Sequence, residues 1–152
     1  MLRLKKEIYQ HAFQRQESVI NDYKRRIQDA MANDGTVNEE QYDNQKQGFE
    51  AQILSEVTLL NEQLVAAEKD LEELKKTQTL GTLNSGKAGF GKVVKTNKRT
   101  FFIAIGIEDF DVNGEMISGI SVHSPAFKAM EGKKSGDRFI VNGTIYHILD
   151  VY

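Results

Sequence analysis

Between residues 53 and 74, Ile53, Val57, Leu60, Leu64, Ala67, Leu71 and Leu74 follow one another at alternating steps of four and three. That spacing draws one apolar seam along a helix. It is sustained for about three heptads, with charged residues over much of the opposite face. Residues 3–31 carry a looser version in Tyr9, Phe13, Ile20, Tyr23, Ile27 and Ala30, with Lys6 and Gln16 interrupting it. Asn33-Asp34-Gly35-Thr36-Val37-Asn38 lies between the two stretches and has turn chemistry. Two long proline-free seams joined by a turn predict an antiparallel coiled-coil hairpin in which each seam buries the other. A second helix from about Glu39 to Lys76 would be about 55 Å long, which carries its far end away from any globular core. A plain dimerising coiled coil accounts for the same heptads.

The pattern changes after Lys76. Thr77 to Gly86 reads as a linker, and β-branched and aromatic runs follow at Lys92–Lys95, Arg99–Ile107 and Met116–His123. Ser124-Pro125 predicts a helix start, with Ser124 as N-cap and Pro125 at the first position, where its missing N–H costs nothing. The short helix spans Ala126–Glu131, and Gly132 closes it. Arg138–Val141 and Thr144–Val151 flank Asn142-Gly143, a strong signal for a two-residue hairpin. The predicted class is α+β: a helical hairpin over 1–76, a linker over 77–86, and a small antiparallel sheet domain with one short helix over 87–152.

Composition supports that division. The one proline is Pro125, and residues 1–80 hold only two of the twelve glycines, Gly35 and Gly48. The absence of cysteine excludes disulfide scaffolds, thiolate zinc sites and cysteine nucleophiles. The net charge of −2 divides into −4 over residues 1–78 (11 basic, 15 acidic) and +2 over the remainder (9 basic, 7 acidic). Neither value announces a nucleic-acid-binding domain. The N-terminus turns charged at once and no long apolar run follows, so no signal peptide or membrane span is expected and the protein should be intracellular.

The hairpin tip is the most informative place for chemistry. From Ile27 to Gln45 there is no Lys or Arg, yet Asp29, Asp34, Glu39, Glu40 and Asp43 all occur. The helix dipole favours carboxylates in a first turn, which covers Glu39, Glu40 and Asp43. It requires neither Asp34 nor the lack of a balancing base. Carboxylates at an exposed tip also suit a divalent ion that another macromolecule partly coordinates, because Mg²⁺ takes a few carboxylates and keeps water. Lys24-Arg25-Arg26, just before the tip, reads as a solvated face that a nearby phosphate backbone would attract. His11, His123 and His147 are scattered, and Gly86-Lys87-Ala88-Gly89-Phe90-Gly91 lacks the phosphate-loop spacing. No nucleophile elbow is present. These residues supply no self-contained active site and no metal site of the chain's own.

Residues 120–137, Ile-Ser-Val-His-Ser-Pro-Ala-Phe-Lys-Ala-Met-Glu-Gly-Lys-Lys-Ser-Gly-Asp, resemble the C-terminal signature of bacterial Gre-type transcription elongation factors. That signature runs strand, Ser-Pro, short helix, Gly-Lys and Gly-Asp. Tyr146–Val151 is similar to the family's last strand. The resemblance implies an N-terminal coiled-coil hairpin joined to an FKBP-like domain, with Ser124, Pro125, Phe127, Gly132 and Lys133 in the part that docks on RNA polymerase. It implies a hairpin that enters the polymerase secondary channel, where two acidic tip residues help hold a second Mg²⁺ for hydrolysis of a backtracked transcript. On this chain Asp34 and Glu39 would approach that ion, with Glu40 and Asp43 in support and Lys24, Arg25 and Arg26 near the RNA and DNA. Aligned on Tyr42, Gly35 and Asn38 stand at the family's two acidic positions, each beside one of these carboxylates. Stimulation of cleavage and inhibition in the channel both remain open. The protein would then be a cytoplasmic, monomeric accessory factor rather than an enzyme, with no tightly bound cofactor and a Mg²⁺ shared with the polymerase. Two further readings are a coiled-coil adaptor and an FKBP-like prolyl isomerase, the latter disfavoured by the absence of tryptophan for an aromatic-lined pocket.

Overall fold

The computed structural model describes residues 2–32, 43–80 and 86–152. The fold is α+β: a helical hairpin of α1 (Leu2–Ala32) and α2 (Asp43–Leu80), then a six-stranded sheet with one short helix. The strands are β1 (Val93–Thr96), β2 (Thr100–Ala104), β3 (Ile107–Val112), β4 (Glu115–Ser121), β5 (Arg138–Val141) and β6 (Thr144–Val151), with α3 (Pro125–Met130) between β4 and β5. Their order is β3-β4-β2-β1-β6-β5. Every neighbouring pair is antiparallel except β2 and β4, which run parallel. The expectation of a purely antiparallel sheet is corrected at that pair. A long excursion through β3 returns the chain to lie alongside β2 in the same direction.

The seam on α2 is as the spacing predicts. Leu60, Ala67 and Leu74 are buried, and Ile53, Val57, Leu64 and Leu71 are half-buried. It also runs further than predicted. Thr77, three residues after Leu74, is 2% exposed and donates its hydroxyl to the Leu74 carbonyl at 2.6 Å. A polar residue can therefore continue the seam with its hydrogen bond satisfied inside the helix. Residues 77–80, expected in the linker, are helical, and 81–85 lie outside the described residues.

On α1 the buried positions are Ile8, Ala12, Gln16, Ile20 and Ala30, while Tyr9 and Phe13 are half-buried beside them. Gln16 does not interrupt the seam. It belongs to it, 6% exposed, and donates Nε2 to the Ala67 carbonyl at 2.9 Å. Gln16→Ala is expected to cost about 1–3 kcal/mol through lost packing and the lost bond. Gln16→Leu keeps the volume, and the Ala67 carbonyl is a normal helix acceptor, so its stability should fall within about 0.5 kcal/mol of the parent or above it. Urea unfolding of the two variants checks that ordering.

Two compact units make up the chain. One is Gln16–Lys69, the greater part of the paired helices; the other joins Met1–Arg15 to Asp70–Tyr152. In the second unit the sheet separates two cores. Ile8 and Ala12 of α1 and Leu74 of α2 pack with Val93, Phe102, Phe110, Val112 and Ile117 on one face. Phe127 and Met130 of α3 pack with Val94, Phe101, Ile103, Phe139 and Ile148 on the other. Being covered on both sides, β2 is buried at all five positions and shows no alternation. Polar contacts brace α1 to β3 and the turn that follows it: Arg15 pairs with Glu108 at 2.6 Å, and the Asn113 amide donates to Glu7.

The run expected as one strand over Arg99–Ile107 is two, β2 ending at Ala104 and β3 starting at Ile107. The chain turns again at Asn113-Gly114, where φ is 55° and 85°, the same device as at Asn142-Gly143, where φ is 50° and 76°. Two consecutive positive φ values give the primed turn whose twist matches paired strands. Gly119 on β4 has no room for a side chain, since a Cβ there would lie 2.9 Å from the Ile107 Cβ and 3.1 Å from the Ile105 carbonyl oxygen.

Candidate functional surfaces

Three regions carry the predicted site residues, and each is best taken alone. Around α3, Ser124 has the extended backbone of an N-cap (φ −70°, ψ 148°), and its Oγ accepts from the Phe127 N–H at 3.1 Å. The same hydroxyl donates to the Ser121 carbonyl at 2.8 Å. Pro125 follows at the start of the helix, as expected, and the helix ends at Met130 rather than Glu131. Gly132 takes a φ of +73°, and its N–H donates to the Ala88 carbonyl at 3.0 Å, while Ala88 N–H donates to the Lys133 carbonyl at 2.7 Å. Lys134 N–H donates to the Asp137 carboxylate at 2.9 Å, and Asp137 N–H returns to the Lys134 carbonyl at 3.0 Å. The Gly-Lys turn thus ties the end of α3 to the segment before β1, and the Gly-Asp turn is tied to β6, where the Gly136 N–H donates to the Ile148 carbonyl and the Ile148 N–H to the Asp137 carbonyl, both at 2.9 Å.

That geometry sorts the five predicted docking residues. Phe127 is 6% exposed and belongs to the core, so it anchors the helix instead of touching a partner. Ser124 spends its hydroxyl on the cap, and Gly132 acts through its backbone. Pro125 is exposed and Lys133 half-buried; His123 and Lys128, not singled out from sequence, are exposed beside them. Helical spacing carries the signal for Lys128. It is three residues from Pro125 on the outer face, as Met130 is three from Phe127 on the inner one. The Gly86–Gly91 run presents no phosphate cradle, because the N–H groups of Ala88 and Gly91 bond to the carbonyls of Lys133 and Ile103. Phe101, Phe139 and Tyr146 stack and edge onto one another with centroids 5.1–6.0 Å apart. Their rings pack in the same core as Phe127 and Met130 of α3.

The basic run on α1 is braced by one carboxylate. Asp22 takes Arg25 at 2.6 Å and Arg26 at 3.0 Å, and Lys24 is exposed. These are surface pairs one helical turn apart, and Asp22 offsets one of the three positive charges that the run would offer to a phosphate backbone. Of the tip carboxylates, Asp34, Glu39 and Glu40 lie outside the described residues. Asp43 is the first residue of α2.

Sequence reasoning missed a polar network joining the residue before β2 to β3 and β4. Arg99 Nη1 lies 3.1 Å from Ser118 Oγ and 3.4 Å from Asp109, and Ser118 donates to Asp109 at 2.8 Å. With a guanidinium in place of a base, it is built to hold strands together rather than to activate the serine. Among the described residues no three His, Asp or Glu side chains are grouped to hold a metal ion. No described helix is long and apolar enough to cross a membrane.

Burial raises the Tyr9 phenol, and Tyr152 is pushed up to about 12 by burial and then by the charges of Glu115 and Asp150. The folded state holds this proton more tightly than the unfolded chain, whose tyrosine titrates near its ordinary value of 10.0. Its contribution is therefore fully present below pH 10 and is lost as pH rises through about 12. Lys5, lowered by burial and by Lys92, acts in the opposite sense, so the variant comparison isolates Tyr152. Tyr152→Phe should remove the highest-pH step from an ultraviolet tyrosinate titration and flatten the alkaline decline in stability.

No protein-family model matches the chain, and no curated protein matches it by sequence. Among solved structures, the chain is similar to the crystal structure of GreA factor homolog 1 (Gfh1) of Thermus thermophilus, with 16% identity and a TM-score of 0.34 over 92% of this chain and 94% of that one. It is also similar to a structure of the transcription factor Gfh1, at 19% identity and a TM-score of 0.35 over 92% of each chain.

Proposed function

We propose that this protein is a Gre-type accessory factor of RNA polymerase, which docks by its sheet domain and modulates elongation through the acidic end of its helical hairpin. The observation that carries the reading is the segment from Ile120 to Asp137. Its Ser-Pro cap, short helix, glycine turn and Gly-Asp turn all have backbone roles, in a domain that follows a long helical pair. Pro125, Lys128 and His123, which are exposed, and half-buried Lys133 are the side chains of that segment that would meet the polymerase in this reading. The chain's own residues bind and position, and Asp34 and Glu39, with Glu40 and Asp43, supply oxygen ligands toward a Mg²⁺ that the polymerase holds. That ion supplies Lewis-acid activation of water and of the scissile phosphate. The protein is then no enzyme alone, and its place is the cytoplasm beside the polymerase.

The test is co-purification of the full chain with bacterial RNA polymerase, followed by addition to complexes stalled in a backtracked state. Binding, with either shortened transcripts or a changed elongation rate, is the expected result. No binding to core polymerase or to the stalled complex overturns the proposal.

A further inference from the structure

Only Asn113 and Asn142 are followed by glycine, and the fold puts the two pairs in matching places. Each lies in the two-residue turn that ties an edge strand to its neighbour, β3 to β4 at one end of the sheet and β5 to β6 at the other. All four residues are exposed and have positive φ. An Asn-Gly pair can react with itself. The glycine nitrogen has no side chain beside it to hinder attack, and it reaches the side-chain carbonyl carbon of the asparagine once the turn loosens. The two turns differ in what resists that loosening. At the first, the Asn113 side-chain amide donates to the Glu7 carboxylate, and the Gly114 N–H donates to Asp111 Oδ1 at 3.0 Å. Leaving group and attacking nitrogen are thus both occupied, each by an anion. Those carboxylates also oppose the negative charge that gathers on the reacting atoms. At the second, no hydrogen bond holds the Asn142 side-chain amide or the Gly143 N–H among the described residues. That hairpin carries no Asp or Glu from Arg138 to Leu149.

We propose that Asn142 is a site of spontaneous deamidation, and that Glu7 and Asp111 protect Asn113 from the same reaction. The Gly143 nitrogen gives its proton to hydroxide and forms a bond to Asn142 Cγ. The side-chain amide nitrogen takes a proton from water and leaves as ammonia, which closes a five-membered imide. Water then opens the ring at either carbonyl. Opening at Cγ gives aspartate; opening at the main-chain carbonyl gives isoaspartate, in which the chain runs through Cγ. The sum is one water in and one ammonia out. Isoaspartate adds one carbon to the main chain of a two-residue turn, which breaks the pairing of Val141 with Thr144. β5 is four residues long and is paired on one side only. The product therefore loosens that edge while the other strands stay paired. The inference stands on the two turns and does not depend on the transcription reading.

The test incubates the full chain in mildly alkaline buffer, folded and in urea, and follows both turns by peptide mass spectrometry. The signal is the mass gained when oxygen replaces NH, and fragmentation separates aspartate from isoaspartate. In the folded chain Asn142 should convert at least about tenfold faster than Asn113, which must first give up two charge-assisted hydrogen bonds. In urea the two rates should converge, since both residues precede glycine. Glu7→Ala with Asp111→Ala should bring Asn113 up towards the rate of Asn142, which serves in the same variant as the standard for any general loosening. Amide hydrogen exchange of β5 should quicken in the isoaspartate fraction. Four outcomes overturn the inference: Asn113 converting as fast as Asn142 in the folded parent, conversion of Asn142 only in urea, a difference that survives in urea, or an Asn113 that stays as slow in the Glu7/Asp111 variant.

Discussion

Phe102→Ala is expected to lower the free energy of unfolding by about 3–5 kcal/mol, as for a large aromatic removed from a core. Phe102 is 1% exposed at the middle of β2, between Val93 on β1 and Gly119 on β4. Its ring belongs to the core that Ile8, Ala12 and Leu74 close from the helices. Three features keep the resulting cavity from collapsing. β2 is hydrogen-bonded on both sides, so its backbone is fixed in the sheet. Its neighbour in the parallel pair is a glycine with no side chain to move in, and a Cβ there would already press on Ile107 and the Ile105 carbonyl. The opposite face of the strand is held by Ile103 against the second core. Ile103→Val removes one methylene from that second core and should cost only about 0.5–1.5 kcal/mol. Urea unfolding of the two variants measures the contrast. Equal losses would mean that the sheet yields to fill the space, and that the two cores are not separately packed.

That continuous burial explains what can and cannot be read from the chain. The α2 seam is legible because each of its seven apolar positions sits on one face and no polar side chain competes for it. Its extension through Thr77 is not, because a hydroxyl bonded back to its own helix counts as polar in a pattern and as buried in space. On α1 the bulky Tyr9 and Phe13 draw attention, yet Ala12 and Gln16 are the more deeply buried, where small size and one directed hydrogen bond matter more than hydrophobicity. In the sheet, the apolar run Phe101–Ile105 marks a doubly covered strand without marking where it ends. The turn at Asn113-Gly114 is as strong a signal as Asn142-Gly143, but the strand before it, Ile107–Val112, carries Glu108, Asp109 and Asp111 in place of an apolar run. For the candidate docking segment, the Ser124 cap is legible from Ser-Pro alone. The burial of Phe127 follows only once its spacing to Met130 is set against the sheet beneath.

The largest functional effect is expected from Asp34→Ala combined with Glu39→Ala. In the proposed role these two carboxylates are oxygen ligands offered to a shared Mg²⁺, a hard cation that binds through few protein ligands and is therefore sensitive to each. Withdrawing both should slow any transcript shortening by about a hundredfold or more, since metal-held charge in such a site carries several kcal/mol and each 1.4 kcal/mol is about tenfold. Polymerase binding should persist, because Pro125, Lys128 and Lys133 belong to a different part of the chain. A complementary pair, Gly35→Asp with Asn38→Glu, moves carboxylates onto the two positions that are acidic in the Gre resemblance. It is expected to raise cleavage above the parent, and to create it if the parent only slows elongation. Both comparisons are read on one gel of labelled RNA from backtracked complexes, with polymerase retention checked by co-sedimentation. Undiminished shortening by the double-alanine variant would remove these residues from the chemistry. If the parent and the carboxylate-restored variant leave transcripts equally intact while still bound, the tip acts by occupying the channel rather than by holding the ion.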